Sequence, residues 1–190
     1  MYENLFRDSS FYHTLHRRDR ELSAEMRAEG CQDCGAKLHS ARYKRKPRGG
    51  PEDLAPEDKL HHSLCCSRRG CRKRHNPPSL RFLGRRHYVS MAVTLASAMV
   101  IGITEKSARE MKELIGVSIR TLRRWREWWR EVFPETPFWN QARARFAGRV
   151  EIAELPASLV ERFRGALCDR ATRLLRFLSP LTATGPGEAG

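Results

Sequence analysis

Apolar positions recur at helical spacing in several stretches of this chain and thin out between them. Leu15, Leu22 and Met26 lie near a 3.6-residue period and Gly30 is a natural stop, so residues 1–30 are expected to form an N-terminal helix. The periodicity is lost over 31–86, where Gly, Pro and basic residues dominate and short strand-like runs appear at 62–65 and 79–83. It returns over 87–134. The uncharged run 88–104 is interrupted by Ser90, Thr94 and Ser97 and is shorter than the roughly 20 residues a membrane-spanning helix needs, so a buried helix over 88–101 is expected. Thr104 and Glu105 then read as a helix start, with Ala108, Met111 and Ile115 on one stripe and Gly116 as the end. Val117 follows, and Ser118 caps a further helix over 119–133. Its apolar face is Leu122, Trp125, Trp129 and either Val132 or Phe133.

Residues 135–180 spell two or three more amphipathic helices. One opens at Pro137-Phe138-Trp139 and reaches Phe146. Another has Pro156 in its first turn and runs through Leu159, Val160, Phe163 and Leu167, and Leu174, Leu175, Phe177 and Leu178 complete the apolar set. Two roles stay open for them: a cap on the preceding helices, or a dimer or partner surface. Residues 181–190 are expected to form a disordered tail.

Five of the six cysteines fall in 31–86. Cys31-Gln32-Asp33-Cys34-Gly35 is a tight knuckle that can aim both sulfurs at one point, with Gly35 free to take a positive φ. Cys66 and Cys71, with Gly70 in the turn, form the second half. Cys65 is the alternative to Cys66, because adjacent strand residues face opposite ways. His61, His62 and His75 are weaker alternatives, and Cys168 reads as a core residue. Charges in 1–8 occupy the place of an apolar signal sequence, which points to the cytoplasm and reduced thiols, hence to metal before disulfide. Four Cys ligands leave no open coordination position, so the expected cofactor is a structural Zn²⁺ whose chelation unfolds 31–86. The expected fold is mainly α with a small β zinc ribbon. Its parts are an N-terminal helix (1–30), the four-Cys ribbon with a basic strand (31–86), a tri-helical helix-turn-helix unit (87–134), C-terminal helices (135–180) and the tail (181–190).

Lys and Arg number 36 against 22 Asp and Glu, a formal charge of +14, which favours a polyanionic partner. Arg42, Lys44, Arg45, Lys46 and Arg48 crowd one short stretch suited to gripping phosphates. The helix beginning at 119 carries five Arg and one acid up to residue 130. Ser118, Arg120, Thr121, Arg123 and Arg124 are its candidate contacts with bases or phosphates of double-stranded DNA.

The stretch Leu114-Ile115-Gly116-Val117-Ser118 with Arg120 to Trp125 resembles the helix-turn-helix of transposases and related bacterial regulators. The order of parts is similar to small bacterial zinc-binding proteins associated with mobile elements. That wider likeness rests on Cys31-x-x-Cys34-Gly35, Leu38 to Ala41, Lys46 to Gly49, the second cysteine group, Pro77 to Arg86, and Phe138-Trp139. The resemblance implies a nucleoid-associated DNA-binding protein, either a regulator or an accessory to a transposase or recombinase, with no membrane partner. A homodimer would suit a two-fold site. No catalytic residue is expected. About 50 residues remain outside the cysteine region and the three helices, too few for the RNase H-like domain of a carboxylate-triad transposase. Glu151, Glu154, Glu161 and Asp169 are scattered among Arg. The alternative is a non-catalytic adaptor or RNA-binding protein that holds its partner with the ribbon and C-terminal helices.

Overall fold

A computed structural model describes residues 3–44, 49–51, 53–82, 94, 96, 104–146, 148 and 150–183. Among these, helix predominates over a small antiparallel sheet.

The expected N-terminal helix is two helices, α1 (Glu3–Arg7) and α2 (Ser9–Glu29). Asp8 divides them: its backbone is extended and its carboxylate accepts from the N–H groups of Ser10 and Phe11 at 2.9 and 3.0 Å, an N-cap that starts α2 afresh. Gly30 ends α2 at φ +85°. The inward face of α2 is Phe11, Tyr12, Leu15, His16, Asp19 and Ser23, half of it polar.

The cysteine region supplies β1 (Leu38–Ser40), β2 (Tyr43–Lys44), β3 (Leu60–His61), β4 (Leu64–Cys66) and β5 (Arg74–His75), with a 3₁₀ turn at Glu57–Lys59. Strands β1, β4 and β5 form one antiparallel sheet in that order, with Leu38 opposite Cys66 and Leu64 opposite His75. Strands β2 and β3 form a separate ribbon. The strand expected at 79–83 is absent over its described part, 79–82. Asp19 replaces a neighbouring strand as the partner: its carboxylate accepts from Ser79 Oγ (2.6 Å), the Leu80 N–H (2.6 Å) and Arg81 Nε (2.8 Å). Arg81 is fully buried and also donates to the carbonyls of Asp58 and Leu60, so one guanidinium ties the β2–β3 region to α2. Such a pair is costly to break, because removing one partner strands a buried charge at about 3–5 kcal/mol.

Helices α3 (Glu105–Ile115) and α4 (Ile119–Glu127) are joined by residues 116–118, with Gly116 at φ +67°. The helical path runs on through a π turn, Trp128–Val132, and a 3₁₀ turn, Phe133–Glu135. This wider turn decides between Val132 and Phe133. Phe133 is buried with its ring 4.9 Å from that of Trp129, whereas Val132 is exposed. Of the helix expected over 88–101, Thr94 and Ala96 are helical and buried; the rest lies outside the described residues.

Helix α5 (Pro137–Ala142) is capped by Thr136, whose hydroxyl accepts from the Trp139 N–H at 3.1 Å. The helix expected from Pro156 through Leu167 is interrupted. Helix α6 (Ala157–Val160) stops, the chain turns through Gly165 at φ +114°, and α7 (Leu167–Leu178) begins. Cys168, expected in the core, is exposed on α7.

One apolar core unites α1, α2, α3, α4 and the C-terminal helices, with Leu5, Phe11, Ile115, Trp129, Leu159 and Leu174 among its members. The C-terminal helices therefore spend their apolar face within the chain, and the exposed large hydrophobics are limited to Val132 and Ile152 among the described residues. A second, small cluster holds Cys31, Leu38, Leu64 and Cys66. No helix of the described residues is long and apolar enough to cross a membrane.

Candidate functional site

Two turns and one strand bring four thiols together. In the first turn Cys31 O accepts from the N–H groups of Cys34 and Gly35 at 3.3 and 2.7 Å, and Gly35 takes φ +70°. In the second, Arg68 O accepts from the N–H groups of Cys71 and Arg72, both at 3.0 Å. Strand β4 places Cys66 between them, fully buried. The Cys31 and Cys71 sulfurs are 3.7 Å apart, those of Cys34 and Cys66 3.5 Å, and all four lie within 4.8 Å of one another. A tetrahedral ion with metal–sulfur bonds of about 2.3 Å sets its ligands about 3.8 Å apart. The cluster can therefore hold a metal ion.

Cys65 faces the other way, its sulfur 3.7 Å from the Arg72 carbonyl, as strand alternation requires. Of the three histidines weighed as ligands, two have other surroundings and one touches the cluster. His61 stacks between Tyr43 and Phe82, and His62 stacks on His16 at 5.3 Å. His75 sits behind the cluster, with Nε2 3.3 Å from the Cys31 sulfur and 3.6 Å from Asp33 Oδ2. Asp33 also pairs with Lys73. The sequence offered His75 only as an alternative ligand; its place beside Asp33 and Lys73 went unread, although Asp33 lies inside the knuckle.

Burial, reinforced by the neighbouring sulfurs, pushes the Cys66 thiol up to about 12. At Cys34 the backbone N–H of Ala36 outweighs burial and brings the thiol down to about 7. At Cys31 burial pushes upward, but the backbone N–H of Asp33 and the His75 ring prevail, and the thiol falls below its usual range. The surroundings thus favour the thiolate form at Cys31 and Cys34 and oppose it at the buried Cys66, where a cation beside the sulfur would offset the burial.

The second group of candidate residues lies on α4. Ser118 accepts from the Thr121 N–H at 3.3 Å. Thr121 is buried, its hydroxyl 3.2 Å from that of Ser118, so it completes the cap and does not join the outer face as expected. Arg120, Arg123 and Arg124 are exposed, opposite the buried Leu122 and Trp125. Arg42 and Lys44 are exposed at β2, while Arg45, Lys46 and Arg48 lie outside the described residues. Two further cations come from α2: Arg20 and Arg27 line a groove with Arg42, Ser23, Ser40 and His62. Arg20 sits in the mixed-charge run 17–21 and Arg27 stands alone, and neither pattern pointed to Arg42, which they meet only in the folded chain.

Comparison with family models, with curated proteins and with solved structures finds no match for this chain.

Proposed function

We propose that this protein binds double-stranded DNA sequence-specifically, with a zinc ribbon as its brace and α3, the 116–118 turn and α4 as a helix-turn-helix. The observation that carries the reading is the division of α4: Leu122 and Trp125 inward, Arg120, Arg123 and Arg124 free toward solvent. An Arg fork can pair with guanine in the major groove or clamp a phosphate. The net charge of +14 and the basic groove beside α2 supply the phosphate grip. Zinc suits four thiols gathered within 4.8 Å of one another, two pairs of them at 3.5 and 3.7 Å, better than the oxygen-seeking divalent ions do. The likeness of residues 114–125 to transposase and regulator motifs makes a non-catalytic regulator or recombination accessory, acting at the nucleoid, the natural setting.

Selection of bound duplexes from a random pool, with zinc-loaded protein at one fixed salt concentration, tests this. One enriched motif is expected. Arg124→Ala is expected to weaken binding to that motif by about 1–3 kcal/mol and binding to random DNA by less. Binding without enrichment would overturn the sequence-specific reading and turn attention to RNA and protein partners.

A further inference from the structure

We propose that His13, His16 and Asp58 form a second metal site, separate from the cysteine cluster, that takes a divalent transition-metal ion. The three belong to different parts of the chain. His13 and His16 are three residues apart on α2, so their rings leave the helix on the same side, and Asp58 comes from the 3₁₀ turn at Glu57–Lys59. Their ligand atoms all lie within 4.8 Å of one another.

Three observations point to an ion. Asp58 is 3% exposed, and among the described residues its carboxylate meets no Lys or Arg, only the two imidazoles. Arg81, the nearby buried cation, spends its charge on Asp19 and reaches only the Asp58 backbone carbonyl. A buried carboxylate without a fixed cation is expensive, and a bound divalent ion would relieve that cost. His13 is the second observation. Its side chain is 62% exposed and free to point into water, yet Nδ1 turns inward to 3.2 and 3.4 Å from the two Asp58 oxygens.

Those lengths are the third. Ligands around an ion at about 2.1 Å stand about 3.0 Å apart in octahedral geometry and about 3.4 Å apart in tetrahedral geometry. The His16 Nδ1 to Asp58 Oδ1 distance, 2.7 Å, is that of a hydrogen bond and would open by a few tenths of an ångström around an ion. As hydrogen bonds, both imidazoles would crowd the same oxygen, Asp58 Oδ1, at 2.7 and 3.2 Å, with Oδ2 left the longer 3.4 Å contact; an ion between the three would use both rings and the carboxylate at once.

Two imidazoles and a carboxylate suit zinc, iron(II) or nickel(II), and three protein ligands leave a position for water. That position would open on the exposed His13 side. The site thus differs in kind from the closed cysteine cluster, and it stands whether or not the protein binds DNA.

Zinc stoichiometry of the full-length protein tests it, measured by atomic emission after equilibration with excess zinc and removal of loosely held metal by gel filtration. The wild type is expected to hold a second zinc ion per chain and His13→Ala only the first; His13 is exposed, so the variant should melt as the wild type does. Cobalt titration separates the sites: the first equivalent brings thiolate-to-metal charge transfer, and the second adds ligand-field bands without further thiolate absorption. In His13→Ala only the second disappears. A single zinc ion per wild-type chain, or an undiminished second ion in His13→Ala, overturns the proposal.

Discussion

Cys65 and Cys66 are adjacent residues with identical side chains and opposite surroundings. Strand β4 turns Cys66 into the thiol cluster, fully buried, and leaves Cys65 half-buried against the Arg72 carbonyl. Cys66→Ser is therefore expected to abolish tight metal binding by the cluster, and Cys65→Ser to leave it intact; competition with a chromogenic chelator reads both. Equal losses would mean that β4 can slip its register by one residue. The choice was half legible: alternation says that only one of the pair serves, and the shorter spacing to Cys71 favours Cys66. Thr121, Asp19 and Arg81 were not legible. A threonine that closes its own cap looks the same in sequence as one that waits for a base. An aspartate on a helix and an arginine 62 positions later show nothing of the ion pair between them.

At the scale of elements, caps and turns carried most of the readable information. Gly116 and Ser118 end and restart helices where local chemistry demands it, and α3 and α4 fall on either side. Ser118→Ala is expected to lower stability by about 1 kcal/mol, seen as a lower urea midpoint with an unchanged slope. An unmoved midpoint would mean that the Ser118–Thr121 bond adds nothing to the fold. The misread elements share a cause. Asp8 and Gly165 each break a helix whose apolar pattern continues across the break, and the π turn at Trp128–Val132 widens a helix without ending its path. Periodicity registers which residues are apolar; it does not register one carboxylate capturing two N–H groups or a turn widened to seat Phe133 under Trp129.

For the whole molecule, the division into two apolar clusters governs what metal removal does. The sheet β1–β4–β5 rests on Cys31, Leu38, Leu64 and Cys66, a cluster too small to order it unaided. The large core draws on every major helix and also holds Leu54 and Leu80, which belong to the cysteine region. Chelation is thus expected to loosen the sheet while the helices stay folded: most of the far-UV helical signal should persist, and amide protection should vanish first at 38–40, 64–66 and 74–75. Loss of protection throughout 31–82 would mean that the Asp19–Arg81 tie does not hold the remainder in place.

The sequence by itself determined the features that depend on neighbours in the chain. These are the knuckle turns that aim the thiols, the capped helices either side of residues 116–118, the mainly helical character and the excess of positive charge. Tertiary structure alone decided which polar residues meet across the fold. It joined Asp19 to Arg81, brought Asp58 to His13 and His16, set Arg20 and Arg27 beside Arg42, and turned the C-terminal helices onto the common core. The reason is range. Backbone sterics, capping and period act over a few residues, while a buried charge must find its partner wherever folding brings one, and nothing in its local pattern states where that will be.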